Sequence, residues 1–273
     1  GWRIMKALAY EGAQPDGVRV HPGGLGDIDG GGAGDVLAVT DTGALTAYTG
    51  NGRGGFAGQL SVGKVAGGDR VFPLGDFTGD GLRDLGVIGA DGVFVLRSGK
   101  ADGIFTDGAA DGQGWTVLSP VLGGIDFDGD RRLDVLARDA AGNLLLYRGN
   151  GSGGWLTGRA ELIGVGWNTV DTILYPGDFD GDRTPDLLAR TPDGRLWLYA
   201  TDGSGHRRTP RVVGQGWTVM TALFSPGDFD GGGADVVGRR GDGTLVLYQG
   251  NGAGGWSGQA TIGYGWNGMR QIM

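Results

Sequence analysis

Five short segments concentrate the carboxylates of this chain, and their spacing suits one kind of chemistry. They read DIDGGGAGD from Asp27, DFTGDGLRD from Asp76, DFDGDRRLD from Asp126, DFDGDRTPD from Asp178 and DFDGGGAD from Asp228. Calcium takes six to eight oxygen ligands at about 2.3–2.6 Å, and a loop with carboxylates at positions 1, 3, 5 and 9 can wrap such an ion. Asp126, Asp128, Asp130 and Asp134 fill all four positions, as do Asp178, Asp180, Asp182 and Asp186. The second loop offers Asp76, Thr78, Asp80 and Asp84, a hydroxyl replacing one carboxylate. The first has Asp27, Asp29 and Asp35 with Gly31 at position 5; the fifth has Asp228, Asp230 and Asp235 with Gly232 at position 5 and one residue deleted. Calcium is the expected ion. The alternative is a metal-free Asx-turn, in which each side chain bonds backbone N–H groups. Charge favours the ion: seventeen Asp crowd into these loops, and five calcium ions would move the formal net charge from −8 to +2. An EF-hand is excluded, because it needs a bidentate Glu at position 12 and flanking helices. Position 12 of the fourth loop is Ala189, and its flank reads as strand.

The loops recur at intervals of 49, 50, 52 and 50 residues, so whatever positions them is itself repeated. After each loop comes a short apolar run such as Asp186-Leu-Leu-Ala-Arg190, then a turn such as Pro192-Asp193-Gly194. An alternating strand follows (RLWLY at 195–199, NLLLY at 143–147), then a Gly-rich turn (GNGSGGW at 149–155, GNGAGGW at 250–256). Another short strand ends in Gly-x-Gly-Trp, and a last apolar strand, TVMTALFSPG at 218–227, leads into the next loop. Glycine supplies 63 of 273 residues without a Gly-X-Y period, which excludes collagen and suits tight turns between many short strands. Four short antiparallel strands per unit of this length predict an all-β fold, a β-propeller of four-stranded blades. A β-helix is disfavoured, since its coils repeat in about half this length or less.

The Asp loops and the runs after them, such as Asp134-Val-Leu-Ala-Arg138, resemble the FG-GAP/VCBS repeat family, which includes the calcium-binding repeats of the integrin α-subunit propeller. The resemblance extends from about residue 20 to 268. It implies a propeller with bound calcium and does not fix a ligand. The chain reads as one domain, 1–273, with units near 20–68, 69–118, 119–170, 171–220 and 221–268 and terminal strands in 1–19 and 269–273 to close the ring. Five blades with a clasp are expected; a sixth, composite blade built from both termini is the alternative.

Strand parity places the Asp loop and the GNGxGGW turn on one face of the disc, and the Asp-Gly turn and the Gly-x-Gly-Trp crossover on the other. Trp115, Trp167, Trp217 and Trp266 mark those crossovers and are candidate platforms for sugar rings; the alternative is that they fill space between blades. Phe56, Trp155 and Trp256 form a second set in the other turn, for which packing is the expected role. No catalytic constellation stands out: His21 and His206 occupy non-equivalent positions, and a glycosidase carboxylate pair cannot be singled out among so many Asp. A net charge of −8 argues against a nucleic-acid partner. No apolar run is long enough to span a membrane, and the absence of cysteine does not decide the compartment. The expected function is non-enzymatic: a calcium-stabilised, lectin-like module for carbohydrate or cell-surface glycan, serving as a targeting domain of a secreted bacterial protein or toxin. A protein-binding propeller is the second reading and a polysaccharide-active enzyme the third.

Overall fold

The computed structural model describes residues 26–156, 160–201 and 208–273. The expected strand within 1–19, His21 and His206 lie outside the described residues. Among these residues twenty strands form five four-stranded antiparallel sheets, the blades of a propeller. Blade 1 holds β1 (Val36–Thr40), β2 (Ala44–Gly50) and β3 (Phe56–Lys64). Blade 2 is β4 (Arg70–Gly75), β5 (Asp84–Ile88), β6 (Phe94–Arg97) and β7 (Ala109–Gly112). Blade 3 is β8 (Val121–Ile125), β9 (Asp134–Arg138), β10 (Leu144–Tyr147) and β11 (Glu161–Gly164). Blade 4 is β12 (Thr172–Gly177), β13 (Asp186–Arg190), β14 (Leu196–Tyr199) and β15 (Arg211–Gly214). Blade 5 is β16 (Met220–Gly227), β17 (Asp235–Arg240), β18 (Leu245–Gly250) and β19 (Trp256–Gly263).

Among the described residues the ring closes at five blades. β20 (Met269–Ile272) is the innermost strand of blade 1 and pairs antiparallel with β1, Ala38 opposite Ile272 and Val39 opposite Gln271. Leu37 and Met273 exchange backbone hydrogen bonds of 2.8 and 2.9 Å that extend this clasp. Gln271 then reaches into blade 2, accepting from Val71 N at 3.2 Å. A C-terminal strand completing the first blade removes the two free sheet edges that an open ring would leave.

The second strand of each blade is apolar on both faces because blades stack on either side of it. Val36–Val39, Leu85–Ile88, Val135–Ala137, Leu187–Ala189 and Val236–Val237 are all buried. The core is accordingly divided into clusters that join neighbouring blades. One joins Leu136, Leu144, Leu146 and Trp167 to Ile173, Leu187 and Ala189 between blades 3 and 4; another joins Leu174, Leu188 and Leu196 to Met220, Ala234 and Val236 between blades 4 and 5.

Candidate metal loops

In blades 2 to 5 the Asp loop links the first strand to the second; in blade 1, whose first strand is the C-terminal β20, it leads into β1. Positions 4 and 6 bend the backbone into the left-handed region: Gly129 and Arg131 have φ of 79° and 68°, and Gly181 and Arg183 have 82° and 69°. Arg131 and Arg183 occupy it without being glycine, at a cost of about 1–2 kcal/mol each. The carboxylate at position 1 organises the turn by accepting backbone N–H groups, as Asp126 does from Gly129 at 2.9 Å and Arg131 at 3.0 Å.

The carboxylate at position 9 opens the second strand and is fully buried in all five blades, as Asp35, Asp84, Asp134, Asp186 and Asp235. In blades 1, 2, 3 and 5 it ties its loop to the turn after the third strand. Asp134 accepts from Phe127 N at 3.1 Å and Gly149 N at 3.0 Å, and Asp235 from Phe229 N at 2.9 Å and Gly250 N at 2.7 Å. Burial pushes the Asp134 carboxyl up to about 8, and those of Asp186 and Asp235 to about 7. Asp35 and Asp126 rise to about 6, and Asp84 is raised too, again through burial first. These groups surrender water for a few N–H bonds, an environment in which a divalent cation would restore the charged form.

Four loops gather their carboxylates at positions 1, 3 and 9. In each of Asp27–Asp29–Asp35, Asp126–Asp128–Asp134, Asp178–Asp180–Asp186 and Asp228–Asp230–Asp235, one oxygen per residue lies within 4.8 Å of the other two. The weakened first and fifth loops therefore converge as fully as the third and fourth. Position 5 is not part of any of these groups. Asp130 instead accepts from Arg132 N at 2.9 Å, and Asp182 from Thr184 N at 2.9 Å. In the second loop Asp76 accepts from Gly79 N and Asp80 from Leu82 N, and the Thr78 hydroxyl is buried without a hydrogen-bond partner among the described residues. Oδ1 of Asp180 and Oδ1 of Asp186 are buried and unpartnered in the same sense. Orphaned buried oxygens inside an all-oxygen donor set fit a hard cation such as calcium.

The faces fall as strand parity predicts. Gly54, Gly153 and Gly254 of the Gly-rich turns donate to the carbonyls of Phe229, Phe77 and Phe179, at position 2 of the preceding blade's Asp loop, at 3.0, 3.1 and 2.9 Å. On the opposite face the crossover Trp115, Trp167, Trp217 and Trp266 donate their backbone N–H to Gly92, Gly142, Gly194 and Gly243 of the Asp-Gly turns. Their rings, however, are only 4–6 % exposed. Each packs on an aromatic ring of the next blade: Trp115 on Tyr147 (4.7 Å between centroids), Trp167 on Tyr199 (4.8 Å), Trp217 on Tyr248 (4.3 Å) and Trp266 on Tyr48 (4.4 Å). The structure thus places them as wedges between blades, where no ring face is open to a sugar. Phe56, Trp155 and Trp256 also pack: Trp155 Nε1 donates to Asp111 O at 3.0 Å and Trp256 Nε1 to Val213 O at 2.6 Å, pinning a turn to the outer strand of the blade before it.

Sequence reasoning missed an arginine clamp on the crossovers. Arg138 and Arg190 end the second strand of blades 3 and 4, and Arg239 stands one residue before the end of that of blade 5. Each guanidinium donates to two crossover carbonyls: Trp167 and Val170, Trp217 and Met220, Trp266 and Met269. Blades 1 and 2 have Val39 and Ile88 there. Their clamps come from the first strand instead. Arg70 donates to Leu118 O at 2.5 Å and Trp115 O at 2.6 Å, and Arg270 donates to the carbonyls of Asp69 and Ala66. Arg70 is the cross-strand partner of Ile88, so the side chain has changed strands while its head group keeps its place.

No curated protein matches the chain significantly. Among solved structures it is similar to a lectin from Burkholderia pseudomallei (20 % identity, TM-score 0.49), covering 84 % of this chain and 66 % of that one, just under two thirds of the lectin's length. It is similar also to a protein from Arthrobotrys oligospora (14 % identity, TM-score 0.49; 88 % and 70 % covered) and to the six-bladed fungal Aleuria aurantia lectin (15 % identity, TM-score 0.41; 85 % and 78 % covered). Residues 126–189, which contain the third and fourth Asp loops, match the FG-GAP-like repeat family, and the chain that carries this repeat is a five-bladed, all-β propeller.

Proposed function

We propose that this protein is a non-enzymatic binding module, a propeller held by calcium that presents a carbohydrate-recognising surface outside the cell. The observation that carries the calcium reading is the convergence of three carboxylates in four of five equivalent loops, with buried, unpartnered oxygens on Asp180 and Asp186. The role proposed for the ion is structural. Four of the loops join two strands of their own blade, and three of these accept a hydrogen bond from the turn of the next, so the ion would stiffen the joint between blades. Extracellular modules of this kind work with Kd values of roughly 10⁻⁴–10⁻³ M, matched to the calcium outside cells.

With the four crossover Trp buried, aromatic faces offered to a sugar among the described residues include Tyr264, 79 % exposed in a Gly-x-Gly-Trp crossover, and Trp197. Trp197 is half-buried in β14, with its indole N–H turned inward and buried, and the Arg195 guanidinium lies 5.6 Å from the ring centre. Aromatic faces flanked by fixed polar groups suit the apolar and hydroxyl-bearing sides of a pyranose. The exposed Val117, Val165 and Val219 beside the same crossovers favour a protein ligand as the second reading.

Calcium-saturated protein on a glycan array tests both halves. The expected result is sugar binding weakened at least tenfold by Tyr264→Ala or Trp197→Ala, and a melting temperature that falls by many degrees in excess EDTA. An unchanged melting temperature overturns the calcium reading, and a blank array overturns the carbohydrate reading.

A further inference from the structure

We propose that Arg148, Arg208 and Gln249 are positioning residues for calcium in the third, fourth and fifth Asp loops, each holding the outer oxygen of the position-3 carboxylate so that its other oxygen is presented to the ion. This rests on the calcium reading above. Arg148 Nε lies 2.7 Å from Asp128 Oδ2, while its Nη2 is fixed by Glu161 Oε2 at 2.7 Å. Gln249 Nε2 donates to Asp230 Oδ2 at 2.5 Å. Arg208 Nη1 lies 3.4 Å from Asp180 Oδ2, and its Nη2 lies 2.7 Å from Asp182 Oδ2.

The convergence does not follow from the repeat alone. Arg148 and Gln249 stand at the same repeat position, directly after the last Tyr of the third strand. Blade 4 has Ala200 there, too short to reach, and Arg208 arrives at the equivalent carboxylate from beyond the Gly-rich turn. Three side chains, two cationic and one neutral, thus meet the same atom of the loop. In blades 1 and 2 the position holds Thr49 and Ser98, and no ion pair or hydrogen bond joins either to position 3 of its loop among the described residues. A carboxylate free to rotate must be ordered when it binds a metal. One whose outer oxygen is already held is pre-aimed, which is how outer partners tune metal affinity. In the fourth loop, with Asp180 Oδ2 facing Arg208, Asp180 Oδ1 is buried without a hydrogen-bond partner, as is Oδ1 of the fully buried Asp186; in the third and fifth loops the inner oxygen also accepts one backbone N–H, Asp128 Oδ1 from Asp130 at 3.1 Å and Asp230 Oδ1 from Gly232 at 2.9 Å, which leaves it a second lone pair for the ion.

Gln249 separates aiming from charge. A guanidinium near calcium repels it, so if charge decided the outcome, Arg148 would weaken the site; if aiming decides, a neutral donor serves as well. The experiment is a calcium titration by isothermal calorimetry on the full chain, with Arg148→Met, Arg148→Gln and Gln249→Met. The wild type should show three tight sites, from the loops with a held position-3 carboxylate, above weaker binding. Arg148→Met and Gln249→Met should each weaken one tight site by about 10–100-fold, the usual effect of losing an outer partner of a metal ligand. Arg148→Gln should stay within about threefold of wild type, as only a change in aiming would move affinity on that scale. Circular dichroism of each variant without calcium confirms the fold, and Gln249→Met, which removes no charge, is the control if Arg148→Met unfolds. Arg148→Met binding calcium as tightly as wild type, or more tightly, overturns the proposal and leaves the calcium reading standing. A wild type that binds no calcium overturns both.

Discussion

The change of strand by the crossover arginine makes a quantitative claim about blade 2. Arg70 donates two hydrogen bonds, at 2.5 and 2.6 Å, to the carbonyls of Leu118 and Trp115. Bonds to a charged group contribute about 1.5–3 kcal/mol each, and a half-buried guanidinium belongs at the lower end, so Arg70→Met should cost about 3 kcal/mol. For a chain of this size one kcal/mol moves the melting temperature by roughly 2 °C, giving a loss of about 6 °C. Ile88, only 1 % exposed, stands where Arg138 stands in blade 3. Ile88→Arg alone should destabilise, because it removes a buried apolar side chain while the clamp is already filled. In the Arg70→Met background the same change supplies the missing guanidinium and should return about 1–2 kcal/mol, so the sign of its effect reverses between the two backgrounds. Differential scanning calorimetry of the four proteins of this cycle, all calcium-saturated, measures the coupling. If Ile88→Arg destabilises both backgrounds equally, the head-group position is not what the crossover requires and the reasoning fails.

Two further outcomes follow from the loops. A Cβ at Gly149 would sit 2.1 Å from the Leu133 carbonyl oxygen, and at Gly50 and Gly250 equally close to the carbonyls of Gly34 and Ala234. Gly149→Ala should therefore cost about 3 kcal/mol or more, whereas Gly241→Ala, with open space around it, should shift stability by less than about 0.5 kcal/mol in urea melts. The pH dependence should change sign with calcium. In metal-free protein the carboxyls of Asp134 (about 8), Asp186 and Asp235 (about 7) stay protonated in the fold where the unfolded chain, with carboxyls near 4, has released its protons. Stability should then be greatest below about pH 4 and fall as pH rises through these values to about 8. Calcium takes the place of those protons and binds better as they leave, so calcium-saturated protein should lose this decline. Melting temperatures from pH 4 to 8, with EDTA and with calcium, decide it; a metal-free melting temperature that climbs across this range contradicts the burial argument.

How much of this was legible in the sequence depends on whether a feature repeats. The Asp loops, the turns and the two faces of the disc could be read because each recurs in nearly every unit and chain reversal fixes its side. The terminal strand could be read as surplus, but its place in blade 1 needed the pairing of Ala38 with Ile272. The crossover Trp could be read either as sugar platforms or as fillers between blades, because nothing local says whether a neighbouring blade covers a Trp in a Gly-rich segment. Yet a signal was present in the exception. The crossover from blade 1 to blade 2 carries Val65 where the others carry Trp, and blade 2 is also where the third strand carries Arg97 at the position that is Tyr in the others. Trp and Tyr disappear together across one joint, as two rings in contact must if neither packs well without the other. The arginine clamp obeys the same logic: Val39 and Ile88 lack it, and Arg270 and Arg70 appear on the strand alongside. In a ring of near-identical blades the packing partners are therefore revealed by the units that break the pattern, because a repeat can lose one member of a contact only where the facing blade has changed to match.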